Sequence, residues 1–255
     1  MPLDIVTIPC LSDNYAYLAR DPDTGITALI DIPEAAPILQ ALDLRGWSLD
    51  LILITHHHDD HIMGLGAVLA KHPAHVFGAT ADAHRLPDLD SALAEGDTVA
   101  IGSQTGHVID VSGHTIGHIA FHFPGAEVVF TADSLMALGC GRVFEGTKPQ
   151  MWDSLKKLAA LPPQTLVCSG HEYTSANAKF ALSVDPDNVA LQARAQKIAE
   201  MRKKDMPTVP SILGDELATN PFLRADQADL AAAIGMQGAD PADVFAEIRT
   251  RKDNF

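Results

Sequence analysis

The heptapeptide Thr55-His56-His57-His58-Asp59-Asp60-His61 places four imidazoles and two carboxylates within seven residues. It directly follows Leu51–Ile54, an aliphatic run that is typical of a strand buried on both faces. A histidine-rich tract can also be a solvated loop or a purification tag, but this one is internal and follows a buried strand. The context therefore indicates a metal site at the end of a strand.

The ligands of this heptapeptide fall into two pairs. Alternate side chains of an extended segment share one face, so His56 and His58 can bind one cation together. Apolar residues recur at helical spacing between positions 62 and 69, and we expect Asp60 and His61 to lie on the turn before that helix. The two pairs then point in different directions, which favours two metal ions.

Three later segments repeat the arrangement of an apolar strand followed by small residues and a potential ligand. The expected strands are His107–Val111, Glu127–Thr131 and Leu166–Cys168, and they are followed by His114, Asp133 and His171. We expect four strand ends to converge on one edge of the fold.

Composition limits the classes of protein that this chain can represent. A chain of 255 residues with 47% hydrophobic residues can form one large core, or a core and a small domain. The net charge of -15 argues against nucleic acid as a partner, because binding phosphates requires a basic surface. The apolar stretches are too short for a membrane span, and the N-terminus has no signal-peptide pattern. Three cysteines do not suggest a disulfide framework, so we expect a cytoplasmic protein with no membrane partner.

The pattern of predicted elements changes along the chain. Up to about His171, short strands alternate with helices, which is typical of an α/β fold. Beyond Ser175 strand signals nearly vanish, and helices are predicted over Val189–Lys204 and Pro241–Lys252. We therefore predict an α/β domain over residues 1–172 and a small helical domain over residues 173–255.

Several motifs of this chain match those of a known family. THHHDDH resembles the THxHxDH signature of the metallo-β-lactamase superfamily, and SGHT, FTADS and CSGHEYT resemble its later ligand motifs in the same order. The chain is more closely similar to the hydroxyacylglutathione hydrolases, or glyoxalase II enzymes, over essentially its whole length. The narrower resemblance is carried by LSDNYAYL, GCGRVFEG, GHEYT, PTVPS, NPFLR and RTRKDNF.

The resemblance implies a fold and a metal site. The fold is an αββα sandwich with metals at one edge, followed by a small α-helical C-terminal domain over the substrate groove. Two divalent ions are implied, with zinc expected and iron or manganese as alternatives. Catalysis would use Asp60, Asp133 and a metal-bridging hydroxide. By motif position, His56, His58 and His114 are assigned to one metal, Asp60, His61 and His171 to the other, and Asp133 to both.

The resemblance also implies an activity. Glyoxalase II enzymes hydrolyse the thioester of S-D-lactoylglutathione to glutathione and D-lactate, the second step of methylglyoxal detoxification. The positions that match the family's glutathione contacts are Arg142, Tyr173, Arg249 and Lys252. Other roles are open to these residues, because cations are favoured at a helix C-terminus and tyrosine is commonly half-buried. No protein nucleophile is required, so Ser112, Ser134 and Ser169 are expected to be turn residues.

The chain departs from the family pattern at three places. Phe144 replaces a tyrosine of some members, which removes a phenolic hydrogen bond to glutathione. Ala132-Asp133 replaces the usual Gly-Asp, and Asp31 is followed by Ile32 where proline is common. These departures affect substrate affinity and backbone fit, but no metal ligand.

Two other functions are compatible with parts of the pattern. A mononuclear iron dioxygenase acting on glutathione persulfide shares the fold, but would not need the second metal set together with a long helical C-terminal domain. A metal-binding or storage protein without catalysis would be expected to have a broken ligand set or no substrate groove. A monomer is the expected state, because no large amphipathic seam is present in the sequence.

Overall fold

The computed structural model describes residues 2–255, which form two compact units. The first unit comprises the chain up to Asp110 together with Ile116–Ala132, and the second comprises Val111–Thr115 and Asp133–Phe255. The predicted domain boundary after residue 172 differs from the division into these compact units. It stays a prediction about functional domains.

The first unit contains ten strands. Period-two and continuous apolar patterns produce them, because both allow at least one face of a strand to be buried. The strands are β1 Asp4–Cys10, β2 Asn14–Arg20, β3 Thr27–Ile30, β4 Leu51–Leu53, β5 His75–Ala79, β6 Ser91–Leu93, β7 Thr98–Ile101, β8 Gln104–Asp110, β9 Ile119–Phe123 and β10 Val128–Ala132.

Strands β1 to β6 form one sheet in sequence order. β1, β2 and β3 pair antiparallel, whereas β3 to β6 pair parallel. Ile52 of β4 lies opposite Leu29 of β3 and Val76 of β5. The strand predicted before the histidine cluster is therefore confirmed as an interior strand, and it is completely buried at Ile52 and Leu53.

Strands β7 to β10 pair antiparallel in sequence order. Phe121 of β9 lies between Val108 of β8 and Phe130 of β10. The ring of Phe130 contacts the ring of Tyr17 of β2, with centroids 5.8 Å apart. The two sheets of the first unit thus face each other across an aromatic and aliphatic core.

The helices of the first unit are α1 Ala35–Arg45, α2 Asp59–Ile62 and α3 Leu65–Leu69. Apolar residues of α1 and α3 pack on strands β1 to β5 of the first sheet, in a core that includes Ile38, Leu42 and Val68. The single helix expected after the histidine cluster is two short ones. The break is at Gly64, whose N–H donates to the carbonyl oxygen of Ile32 at 2.9 Å. The expectation that Asp60 and His61 lie on a turn is wrong, because both belong to α2.

The second unit is mainly helical. Asn188 and Asp240 begin two of its helices, and their side chains accept hydrogen bonds from the first-turn amides of Leu191 and Ala242. Its strands are β11 Leu135–Met136, β12 Gly139–Cys140, β13 Leu166–Ser169 and β14 Ser211–Ile212. Its helices are α4 Lys148–Ala159, α5 Thr174–Val184, α6 Val189–Arg202, α7 Leu213–Thr219, α8 Ala228–Ala233 and α9 Pro241–Asp253.

The helices expected over 189–204 and 241–252 are confirmed as α6 and α9, to within two residues. Few strands were expected beyond Ser175. Among the described residues, this part of the chain contains the two-residue strand β14. Across residues 2–255, no helix has the length and apolarity that crossing a membrane requires.

Candidate metal centre

The histidine cluster begins shortly after β4 ends, and its side chains differ in burial. His56 is fully buried, whereas His57 and His58 are partly exposed and Asp59 is exposed. The Nε2 atom of His56 lies 3.2 Å from the Nδ1 atom of His58. The structure therefore brings His56 and His58 together, as the alternation of an extended segment predicts.

Asp31 holds the second ligand pair in place. It follows β3, and its carboxylate accepts hydrogen bonds from Thr55 N at 2.9 Å, Thr55 Oγ1 at 2.8 Å and His61 Nδ1 at 2.8 Å. The proton of His61 is thus on Nδ1, and Nε2 presents its lone pair on the other side of the ring. The Oδ2 atom of Asp60 lies 3.8 Å from that Nε2.

Sequence reasoning gave no role to Asp31 or to Asn14. Asp31 could have been found by the rule applied to the other ligands, since it is a carboxylate at the end of a buried strand. Asn14 is buried and donates from Nδ2 to Asp60 Oδ2 at 2.9 Å, which orients that carboxylate. Asn14 belongs to the LSDNYAYL motif, which resembles the family but does not by itself predict a contact with Asp60.

His57, to which the family pattern assigns no ligand role, is held by a buried carboxylate. Its Nδ1 lies 3.0 Å from Oδ2 of Asp82, and Asp82 also pairs with Arg85 at 2.5 Å. His118 stacks on His56 with ring centroids 4.6 Å apart and an interplanar angle of 10°. His118 restricts the ring of His56 by stacking on it. His57, held by Asp82, restricts the backbone between His56 and His58.

The second unit contains the other three predicted ligands. Asp133 lies between two histidines: its Oδ2 is 3.5 Å from His114 Nε2 and 3.2 Å from His171 Nε2. All three side chains are buried. The Nδ1 atom of His114 lies 2.8 Å from the carbonyl oxygen of Arg142. A carbonyl can only accept, so the proton is on Nδ1 and the Nε2 lone pair faces the carboxylate.

Glycine is required beside Asp133. A Cβ atom at Gly141 would lie 1.9 Å from the carbonyl oxygen of Asp133, a distance that no side chain can occupy. The N–H of Gly141 donates to the carbonyl of Ser134 at 3.1 Å. The GCGR motif therefore allows two backbone segments to approach closely at the aspartate.

The predicted glutathione contacts have different environments. Tyr173 is exposed and stacks on His171, with ring centroids 4.6 Å apart and an interplanar angle of 8°. Arg142 is exposed and lies over the ring of Phe144, 5.8 Å from its centroid. Lys252 is partly buried, and Arg249 has only 5% of its surface exposed.

Two of the three serines expected to be turn residues lie in turns or bends, and the three cysteines are buried. Ser112 and Ser134 lie in turns or bends, but Ser169 is the last residue of β13 and is not a turn residue. All three cysteines are buried free thiols. Burial raises the pKa of Cys10 and of Cys140 to about 11, and it raises the pKa of Cys168 well above the ordinary value. Neutral thiols of this kind are poor ligands and nucleophiles.

The donor sets fit divalent cations. Two ligand atoms about 2.1 Å from a tetrahedral cation lie about 3.4 Å apart. The atom pairs described here are separated by 3.2 to 3.8 Å, and two of them bring an imidazole lone pair to a carboxylate oxygen. In the first unit, Asp31, His56 and His61 also place one potential ligand atom each within 4.8 Å of the others. Two acceptors face each other favourably only when a cation neutralises their repulsion.

Comparison with known proteins assigns the chain to a family. The model of the metallo-β-lactamase superfamily matches residues 23–171, and the model described as the hydroxyacylglutathione hydrolase C-terminus matches residues 172–255. A hydroxyacylglutathione hydrolase of Ruegeria pomeroyi is 65% identical over 255 residues and covers all of both chains. One from Jannaschia sp. is 63% identical and covers 98% of each chain.

Structural similarity agrees with this assignment. The crystal structure of BLEG-1 B3 metallo-beta-lactamase matches 86% of this chain and 99% of its own, with a TM-score of 0.68 and 22% sequence identity. The predicted fold class, an α/β metallo-β-lactamase sandwich with a small helical C-terminal domain, is confirmed. The full-length identity to named relatives extends this from fold to family, and the chain belongs to the hydroxyacylglutathione hydrolases of the metallo-β-lactamase superfamily.

Proposed function

We propose that this protein hydrolyses the thioester of S-D-lactoylglutathione, and of related 2-hydroxyacylglutathiones, to glutathione and D-lactate. The observation that carries the proposal is the pairing of Asp133 with both His114 and His171, in a chain of this family. A carboxylate shared by two imidazoles is suited to lie between two cations, because an anion lowers their mutual repulsion.

The proposed site uses the seven ligands that the family resemblance implies. His56, His58 and His114 would hold one divalent cation, Asp60, His61 and His171 a second, and Asp133 both. Nitrogen and oxygen ligands without cysteine suit zinc, with iron and manganese as alternatives.

The chemistry needs no nucleophile from the protein. Divalent cations supply a hydroxide at neutral pH and polarise a carbonyl when they are bound. Asp60 and Asp133 orient the attacking oxygen, which adds to the thioester carbon while the carbon–sulfur bond breaks. The departing thiolate belongs to a thiol with a pKa of about 8.5, so it leaves without a general acid. Asn14 supports the reaction by fixing the orientation of Asp60.

The glutathione moiety would be held by Arg142, Tyr173, Arg249 and Lys252. Glutathione carries two carboxylates, and guanidinium and ammonium groups bind carboxylates through charge-assisted hydrogen bonds. In a protein of net charge -15, cations at the C-terminus are well suited to an anionic substrate. Residues 173–255 would then form the substrate-binding domain. Three buried free thiols are consistent with a reducing cytoplasm, in which we propose that the protein is a monomer.

The test combines elemental analysis with an activity screen of the purified protein. We expect about two divalent metals per chain and hydrolysis of S-D-lactoylglutathione. The variant Asp133→Asn should lower kcat by at least about 100-fold, because it weakens the charge placed between the cations. Asp153→Asn, an exposed aspartate of α4, is the matched control and should retain full activity.

Two results would overturn the proposal that the protein is a thioesterase. One is a protein with both metals bound that leaves the thioester intact but consumes oxygen with glutathione persulfide, as a dioxygenase would. The other is a metal-loaded protein that is inactive toward both substrates, which would indicate a binding or storage role. Full thioesterase activity in Asp133→Asn would instead overturn the assignment of Asp133 as a catalytic residue.

A further inference from the structure

The hairpin formed by β11 and β12 connects two groups of the proposed site. Asp133 lies two residues before β11, and Arg142 lies two residues after Cys140, the end of β12. At the base of the hairpin, Asp133 contacts both histidines, and the Arg142 carbonyl accepts the proton of His114 Nδ1. A shift of this hairpin would move the carboxylate and reorient His114 together.

The tip of the hairpin has an unfavourable backbone conformation. Its turn consists of Ala137 and Leu138, and Leu138 has a φ of 55°, in the left-handed region. A turn of this kind usually has glycine or asparagine at its second central position, because a Cβ atom is disfavoured there. Strained residues persist when their surroundings hold them, and they occur preferentially at functional sites.

Buried polar side chains hold the tip in this conformation. Glu216 Oε2 accepts from Leu138 N at 2.8 Å, and Asn220 Nδ2 donates to the carbonyl oxygens of Met136 at 3.1 Å and Gly139 at 3.0 Å. Asn177 Nδ2 donates to the carbonyl of Ala137 at 3.1 Å. Glu216 and Asn220 have no solvent exposure. Every one of the four residues from 136 to 139 therefore has a backbone group bonded to one of these side chains.

The same side chains are themselves anchored. Arg194 forms an ion pair with Glu216 Oε1, and it also donates to Thr219 Oγ1 at 2.7 Å. The side chain of Leu138 is buried in an apolar cluster with residues of α5 and α6, including Ala181, Leu191 and Ile198. These anchors connect helices α5, α6 and α7 to the tip of the hairpin.

We propose that Glu216 and Asn220 are positioning residues for the hydrolytic reaction, which act by holding the Leu135–Cys140 hairpin and, through it, Asp133 and His114. The expected effect on kcat rests on the proposed function, whereas the contacts that hold the hairpin do not. Neither residue contacts the ligands directly in the interactions described, and both belong to the second unit.

The kinetic test compares Asn220→Ala with the control Asn188→Ala. Asn188 caps α6 and belongs to the same unit, but its described bonds are to Asp185, Leu191 and Ala218, away from the hairpin. Both variants lose side-chain hydrogen bonds, which are buried at Asn220 and part-buried or exposed at Asn188. We expect Asn220→Ala to lower kcat for S-D-lactoylglutathione by at least about tenfold more than Asn188→Ala, with a KM within about threefold of the wild type, since small displacements of catalytic groups have large rate effects. Equal kcat values for the two variants would overturn the proposal.

Glutamate 216 provides a conservative rescue. Glu216→Gln keeps an oxygen that can accept from Leu138 N, whereas Glu216→Ala removes it. We expect the Gln variant to retain most of the kcat that the Ala variant loses. If Glu216→Ala does not fold, the comparison of Glu216→Gln with Asn220→Ala decides, and a Gln variant as impaired as Asn220→Ala would contradict the assignment.

Two readouts do not depend on catalysis. Hydrogen exchange of the Leu138 amide should accelerate by at least about 100-fold in Glu216→Ala, which removes its acceptor, and remain unchanged in Asn188→Ala. The NMR resonance of the His114 Nδ1 proton should shift or broaden in the first variant only. Unchanged exchange and an unchanged resonance would overturn the proposal even in an active enzyme. If wild-type protein fails to hydrolyse the thioester, the proposed function fails, and these two measurements still test the hairpin contact.

Discussion

The guanidinium of Arg249 donates from Nη1 to the carbonyl oxygen of Cys140 at 3.0 Å. The same side chain pairs with Asp253 Oδ1 through Nε at 3.1 Å and Nη2 at 3.0 Å. Because Arg249 is buried, much of its hydrogen-bonding capacity is used within the protein. Lys252, the other cation of the RTRKD motif, is more accessible. We therefore expect the two cations to contribute differently to stability and to substrate binding.

Arg249→Lys should mainly destabilise the fold. Lysine cannot reproduce the planar fork that reaches Cys140 and Asp253 together, and a buried acceptor would lose its partner. We expect a loss of about 2 kcal/mol in the free energy of unfolding, measured by urea denaturation. Arg251→Lys, on a more exposed ion pair with Glu247, should lose less than about 1 kcal/mol. Equal losses would show that burial of Arg249 is not decisive.

Lys252→Met should act on substrate affinity. Removing one charge-assisted contact should raise KM for S-D-lactoylglutathione about tenfold while kcat stays within about twofold. Burial, and then the charge of Arg249, lowers the pKa of Lys252. The ammonium is lost as pH rises, so the KM of the wild type should begin to rise below the ordinary lysine pKa of about 10.4. A pH profile of KM that is the same in Lys252→Met would contradict a role in binding.

Phe144→Tyr should strengthen glutathione binding. Phe144 is 60% exposed, and its ring lies 5.3 Å from that of His114, so a phenolic hydroxyl would remain accessible to substrate. One added hydrogen bond is worth about 1 kcal/mol, which corresponds to a KM about fivefold lower. A small thioester without the glutathione moiety is the control, since its KM should not change. An identical decrease for both substrates would refute the proposed contact.

Ala132→Gly should stabilise the protein. Ala132 precedes Asp133 with a φ of 40°, where a Cβ atom costs about 1–2 kcal/mol. Glycine adds about 0.4–1 kcal/mol of conformational entropy to the unfolded chain, so the relief of strain exceeds this cost. We expect a free energy of unfolding higher by up to about 1 kcal/mol. Ala120→Gly, in strand β9, should lower it, and a loss in both variants would show that the Ala132 backbone is not strained.

Asp21→Asn should change the acid stability of the first unit. Asp21 is buried and accepts from Ser103 N at 2.6 Å and Asp23 N at 2.9 Å. These hydrogen bonds hold the pKa of Asp21 far below its ordinary value, and the bond from Ser103 has the largest effect. A depressed folded-state pKa stabilises the fold above the unfolded value of about 3.9, and the contribution is lost as pH falls below it.

The measurement for Asp21 is the free energy of unfolding from pH 7 to pH 2. Asp21→Asn should be less stable than the wild type at pH 7, and the difference should shrink below about pH 4. Replacement of the exposed Asp43 by asparagine is the control and should give no such trend. A difference independent of pH would contradict the role of the ionised carboxylate.

Local patterns were sufficient for the strands that carry the predicted ligands. The apolar run before His56 and the runs before His114, Asp133 and His171 each form a strand or end close to one, because burial selects continuous apolar segments. Asn188 and Asp240 likewise mark helix starts through short-range capping bonds. The prediction of a single helix after the histidine cluster was wrong, because it depended on a contact between distant residues. The N–H of Gly64 donates to the carbonyl oxygen of Ile32, and the helix is interrupted there.

The sequence by itself determined the family, the ligand types and their order along the chain, because these depend on residue identity and spacing. Only the tertiary structure decided which ring nitrogen of His61 and His114 carries the proton, since Asp31 and the Arg142 carbonyl are distant in sequence from the rings they orient. It also decided that Arg249 is buried against Cys140, and that Glu216 and Asn220 hold a strained hairpin. Hydrogen bonds between residues 28 to 109 positions apart leave no periodic signal, so they become visible only when the chain is folded.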